Sequence, residues 1–215
     1  MPSFAGIDLT SSPNKPSAYA LLGVDLRILS LQFLNTDSDI IAAVECDQPA
    51  LVAIDAPLSL PRGLCCLKED CLCQAVSGGK GRLCERDLAR LGISSYFTTK
   101  RSIIKDMVYR AIELKMELTA RGHEFIEVYP YASKVRLWGK PPFNKTTRKG
   151  LEFLKERLSE VILNVGECEK LDHDLCDAVI GTYTAYLHNH GKAEPIGDHD
   201  EGLIYVPCPH PGFPV

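Results

Sequence analysis

Three short apolar runs in this chain each deliver a carboxylate, and no other feature restricts the fold as much. Phe4-Ala5-Gly6-Ile7-Asp8 is the first, and Leu51-Val52-Ala53-Ile54-Asp55, followed by Ala56-Pro57, is the second. The third, Glu124-Phe125-Ile126-Glu127-Val128, is closed by Tyr129-Pro130. A short apolar run reads as a buried strand, and a lone carboxylate on such a strand is costly to desolvate. Three become tolerable together when neighbouring strands pool their charge at one sheet edge and a divalent cation neutralises the pool. The expectation is therefore an α/β protein with an acidic edge.

The 215 residues suit a single domain spanning 1–215, with an insertion at about 61–84. No apolar run approaches the ~20 residues of a membrane span. The N-terminus shows no basic start, greasy run and small-residue cleavage site, so a cytoplasmic protein without a membrane partner is expected. A net charge of −4 gives nucleic acid no bulk attraction and leaves that role to a local basic patch.

Past the polar loop Ser11–Ser17, Ala18–Val24 and Ile28–Leu34 read as two further strands, forming an antiparallel meander with the first. Asp37 or Ser38 can cap a helix running to Cys46, and Gln48-Pro49 ends it before the Asp55 strand. A second helix should begin near Cys84 and stop at Gly92. A third should follow Ser102 as N-cap, over Ile103–Leu118, with Gly122 at the C′ position. The stretch Lys134–Lys149 is basic and proline-bearing, and Leu151–Leu163 is amphipathic at helical spacing. The last helix runs from about Asp172 to His188, and Leu203–Val206 is a short strand or extended segment. Pro207, Pro209, Pro211 and Pro214 keep the tail irregular.

On that last helix Asp174 and Asp177 are three apart and share a face. The small apolar run Ala178–Ala185 after them suits close packing on a sheet. With the helix start laid across the strand ends, Asp8, Asp55, Glu127, Asp174 and Asp177 form one candidate catalytic cluster. Acids around two cations about 4 Å apart can orient water and stabilise the leaving oxygen of a phosphodiester. Any one of these acids alone reads equally as a cap or surface turn. Asn at Asp8 or Asp177 should abolish divalent-cation binding and leave the fold intact or more stable, through relief of like-charge repulsion.

Gly6-Ile7-Asp8, Ala53-Ile54-Asp55-Ala56-Pro57, Cys84-Glu85-Arg86 with Leu91-Gly92-Ile93, Glu127-Val128-Tyr129-Pro130, and Asp174-x-x-Asp177-Ala178 with Tyr183-Thr184-Ala185 occur in this order. The ordered set, over nearly the whole chain, resembles the predicted RNase H-like nucleases (domain of unknown function 429). The resemblance implies an RNase H-like fold: a five-stranded mixed sheet, three antiparallel strands then two parallel, flanked by helices. The Asp174/Asp177 spacing is similar to that of RuvC-type Holliday-junction resolvases. By that likeness Asp8 would bridge the metals (Mg²⁺ or Mn²⁺), Asp55 would take the fourth-strand role, and Asp174 with Asp177 would complete the set. Glu127 has no required counterpart there.

Cys65, Cys66, Cys71, Cys73 and Cys84 place five thiols within twenty residues. In a reducing compartment such a group fits structural zinc or an iron–sulfur cluster, or else a set of reduced, partly buried thiols. Their spacing matches no common zinc ribbon. Lys134, Arg136, Lys140, Lys145, Arg148 and Lys149, interleaved with Trp138 and Phe143, have the composition of a nucleic-acid grip or of a solvated loop and helix start. Lys80 and Arg82 within Gly78–Arg82 lack the phosphate-loop pattern. His173 could shuttle a proton among the acids, and Glu201 is a further candidate near the site. The functional expectation is a metal-dependent nuclease. The rival is a non-catalytic scaffold whose cysteine loop binds metal and a partner, or a module for a small phosphorylated ligand.

Overall fold

The protein is described by a computed structural model covering residues 2–12, 15–76, 79–168 and 170–209. Gly78, Pro211 and Pro214, all invoked above, lie outside the described residues. The chain opens with the expected meander: β1 (Ser3–Asp8), β2 (Ser17–Gly23) and β3 (Ile28–Leu34), antiparallel throughout. A helix, α1 (Asp37–Asp47), crosses to β4 (Leu51–Asp55), which lies parallel to β1. Thr36 caps α1, and its side chain and that of Asp39 close a reciprocal capping box.

Residues 61–82 carry no helix or strand among those described. They are followed by α2 (Leu83–Arg90), α3 (Lys105–Ala120) and β5 (Phe125–Val128). Next come α4 (Pro130–Trp138), α5 (Arg148–Ser159), a short 3₁₀ turn at Val165–Glu167, and α6 (His173–Asn189). A hairpin, β6 (Ala193–Asp198) and β7 (Gly202–Pro207), completes the fold. The strand order is β3-β2-β1-β4-β5-β7-β6, with β4, β5 and β7 parallel to β1.

Among the described residues the sheet thus has seven strands, not the five expected. The additional pair is the β6/β7 hairpin. Pro195 and Gly197 hide β6 from a propensity reading, and an edge strand is where a proline is tolerated, because one side of its ladder has no partner. Helix α4 was likewise not anticipated. Pro130, a strand stop by local sequence, occupies the first helical position, where its missing N–H has no partner to lose. Helix α3 begins two residues later than the Ser102 cap suggested, behind Ile104.

Helices cover both faces of the sheet. On one, Ile40, Val44, Ala111, Leu114 and Leu118 of α1 and α3 pack against Ile7, Val52 and Ile54. On the other, α5 and α6 bury Leu154, Leu158, Ala178, Val179 and Ile180 against β2, and Ala185 lies against Phe4, Ala53 and Val128. Helix α6 approaches β1 so closely that a Cβ on Gly6 would sit 2.2 Å from the Ala178 carbonyl oxygen. That glycine sets the depth at which the helix lies. Among the described residues no helix is long and apolar enough to cross a membrane.

Candidate active site

Alternation along a strand sends successive side chains to opposite faces. Gly6 faces α6, so Asp8, two residues on, faces it too. Asp8 and Asp55 are direct register partners on the parallel pair β1/β4 and leave the sheet on the same side, at its carboxyl edge. Helix α6 is capped by Asp172, whose carboxylate accepts from the Asp174 and Leu175 N–H groups. Its first turns bring the Asp174 charge close enough to act on Asp8 and bury Asp177 beside the two strand acids. The structure thus gathers four of the five expected acids.

The electrostatic strain of that gathering is legible in the acids. Burial, then the Asp177 and Asp174 charges, push the Asp8 carboxyl up to about 8, against a lowering pull from Lys145. Burial, then Asp8 and Asp177, hold Asp55 well above the usual carboxylate range, opposed by Lys145 and Lys134. Asp177 is the compensated member. Its Oδ1 accepts from Lys134 Nζ at 2.8 Å and its Oδ2 from Lys145 Nζ at 2.7 Å. Lys134 projects from α4 and is 3% exposed, whereas Lys145, on the following loop, is half exposed. Burial pulls Lys145 down, but Asp177, Asp8 and Asp55 outweigh it and raise the ammonium's pKa. His173 Nδ1 lies 2.7 Å from Asp174 Oδ1 at the rim.

Asp8, Asp55 and Asp177 line a cleft of about 680 Å³, together with Tyr96, Ile104, Met107, Tyr131, Phe143 and Lys145.

Glu127 lies elsewhere. Its register partner is Ile54, not Asp55, so its side chain leaves the sheet on the opposite face. There Arg82 grips it bidentately, Nη1 at 2.7 Å and Nη2 at 2.6 Å, and the Leu58 N–H donates to it at 2.8 Å. Arg82 Nε also donates to Glu85 at 2.9 Å, while Glu85 takes the Thr98 N–H and hydroxyl. Glu201 accepts the Arg62 and Leu83 N–H groups. Together these buried charges fasten the 61–82 segment to the sheet. Arg82 and Glu85 were missed as a pair in the sequence, where Glu85 stood only within the Cys84-Glu85-Arg86 motif.

Of the five thiols, Cys65, Cys66, Cys71 and Cys73 converge, their sulfurs all within 4.8 Å of one another. Cys84 is not among them; it is fully buried on α2 with Leu88, Ile93, Ala132, Ile204 and Val206. Among the expected nucleic-acid contacts, Lys134 is held inside by Asp177 and Arg136 is buried, pairing with Glu194. Lys140, Lys145, Arg148 and Lys149 reach solvent, Arg148 while paired with Glu152.

The family described as "Protein of unknown function (DUF429)" matches residues 6–202. No curated protein matches in sequence. Among solved structures, RuvC from Thermus thermophilus superposes with a TM-score of 0.50 at 14% identity, over 88% of this chain and 96% of that one. At that identity the likeness speaks to the fold, which is RNase H-like.

Proposed function

The chain belongs to the DUF429 family, and from that premise we propose that it is a divalent-metal-dependent nuclease that hydrolyses phosphodiester bonds in nucleic acid. The observation that carries this reading is the pairing of Asp8 with Asp55 on adjacent parallel strands, with Asp177 of α6 beside them in the cleft and Asp174 close enough to act on Asp8. Carboxylates pushed towards protonation by burial and then by one another form a donor set of hard oxygens short of positive charge, which suits Mg²⁺ or Mn²⁺. When bound, such ions would activate water and stabilise the leaving oxygen.

This chain's own residues would divide the remaining work. Asp8, Asp55 and Asp174 supply oxygens not held by lysine, and Asp177 joins them once Lys145 withdraws. Lys134, immobile on α4, keeps Asp177 oriented. Lys140, Arg148 and Lys149 draw the phosphate backbone to an otherwise anionic cleft. We assign Glu127 to fastening the insertion rather than to the metals, since both its oxygens are occupied by Arg82.

A second reading has one observation in its favour. Lys134 and Lys145 already occupy both oxygens of Asp177, as internal cations would in a scaffold that has given up its metals. Cleavage assays separate the two readings. Chelator-treated protein is supplied with Mn²⁺ and labelled single-stranded, duplex and four-way-junction DNA and RNA, wild type beside Asp8→Asn. Mn²⁺-dependent cleavage lost in the variant is expected. The nuclease reading falls if wild type cleaves none of these, or if Asp8→Asn cleaves as well as wild type.

A further inference from the structure

The insertion at 61–82 poses a folding problem that its own side chains do not solve. Leu67 is buried, but Leu72 is 94% and Val76 71% exposed, so apolar burial closes little of the loop. It carries no helix or strand among its described residues, and few backbone bonds tie it together, such as Val76 N–H to the Arg62 carbonyl at 2.8 Å. Yet it holds four cysteines in one knot, and all four are free thiols.

We propose that Cys65, Cys66, Cys71 and Cys73 bind one Zn²⁺ as a structural tetrathiolate site. The geometry decides between candidate cofactors. A tetrahedral ion with Zn–S bonds of about 2.3 Å sets its sulfurs about 3.8 Å apart, and Cys65 Sγ lies 3.7 Å from Cys71 Sγ. All four sulfurs fall within 4.8 Å of one another, which leaves room for a single ion between them. An iron–sulfur cluster must fit several irons and sulfides into the same space and would hold its thiolates wider. Among the described residues, no other group of three or more Cys, His, Asp or Glu side chains brings its ligand atoms this close.

The surroundings suit a centre with four thiolates on a dication. Lys100 Nζ donates to the Cys71 carbonyl, placing an ammonium beside the knot. Leu67 N–H donates to Tyr109 Oη at 2.5 Å, docking the loop on α3. Cys73 and Gln74 share a groove with Thr98, Thr99 and Lys100. The same segment presents Tyr96 and Ile104 to the acidic cleft. The ion would therefore brace, from behind, one wall of the cleft. The assignment goes beyond the nuclease reading and stands without it.

The test is metal content and spectroscopy on untagged full-length protein purified without chelator. The expected result is one zinc per chain, and after exchange a Co²⁺ form with the thiolate-to-cobalt charge-transfer and tetrahedral ligand-field bands of a four-sulfur site. Cys71→Ser should lose both, while Cys208→Ser, exposed and outside the knot, should keep them. Should Cys71→Ser fail to fold, the Co²⁺ spectrum of wild type decides alone. A wild-type protein that carries no metal and takes up neither Zn²⁺ nor Co²⁺ overturns the proposal. So does iron with labile sulfide, or a Co²⁺ spectrum unchanged in Cys71→Ser.

Discussion

Asp8 is where sequence, burial and charge meet in one side chain. Its carboxyl, ordinarily near 3.8, is pushed up to about 8 in the fold by burial and by Asp177 and Asp174. A folded value raised above the unfolded one means that the native state binds the extra proton between those limits. The resulting stability is fully present below about pH 4 and is lost as pH rises through about 8. Asp55, raised for the same reasons, acts in the same direction. Thermal melts of the metal-free protein should therefore show Tm falling from pH 5 to pH 8, with a shallower fall in Asp8→Asn. A Tm that rises across that interval would contradict the burial of these acids. Asp177 behaves differently from the sequence expectation that neutralising it would spare the fold. Asn there leaves the ammonium of Lys134 buried without its counter-charge, the kind of change that costs about 3–5 kcal/mol. Asp8 is consequently the residue whose substitution tests the proposed metal site without this complication. The strand acids were visible in the sequence because their neighbours are apolar, and the Asp174/Asp177 pair because of its three-residue spacing ahead of a small apolar run. The face each acid occupies was not, because strand register is a relation between distant segments. Glu127 shows the consequence: one residue of register takes it through the sheet to Arg82.

At the scale of elements, α6 against β1 decides whether a site exists. Gly6 would drive a Cβ to 2.2 Å from the Ala178 carbonyl oxygen, 2.3 Å from Thr182 Oγ1 and 2.6 Å from Thr182 N. Two of those are backbone atoms, which cannot rotate away. Gly6→Ala should cost about 1–3 kcal/mol or more in denaturant unfolding, and should weaken Mn²⁺ binding by lifting Asp177 away from Asp8 and Asp55. Wild-type stability in this variant would mean that the helix does not lie so close. The meander, α1, β4 and α6 were legible from apolar runs and local breakers, although the cap of α1 is Thr36 and not Asp37 or Ser38. The elements that were not legible share a reason. Pro130 at the head of α4 and Pro195 in β6 are read locally as breakers, and each is permitted by its position: the first helical residue in one case, a sheet edge in the other.

Over the whole molecule, a chain of net charge −4 needs a local basic surface to meet a polyanion, and Lys140, Arg148, Lys149 and the loop that carries Lys145 are the proposed one. If these residues contact phosphates, the double variant Lys140→Gln/Lys149→Gln should weaken nucleic-acid binding about equally across sequences. It should also lower the slope of log K against log salt by roughly one per lost contact. An unchanged slope measured by fluorescence anisotropy would place the binding surface elsewhere. The RNase H-like fold was readable because its motifs recur in order along the chain. The cysteine knot was readable in composition only, and Cys84 was set apart by a helix start that carries it into the core.

Lys145 gives the cleft one further property. The side chain is anchored to a loop and docked on Asp177, so a divalent ion entering the cleft meets a competitor whose local concentration never changes with dilution. Uptake becomes an exchange of one tethered cation for a diffusing one. The surrounding Asp177, Asp8 and Asp55 charges raise the pKa of this ammonium, against the opposing pull of burial. On the proposed reading, cation occupancy would be coupled to the release of a loop, and a polyanion that attracts that lysine outward would help to load the metals.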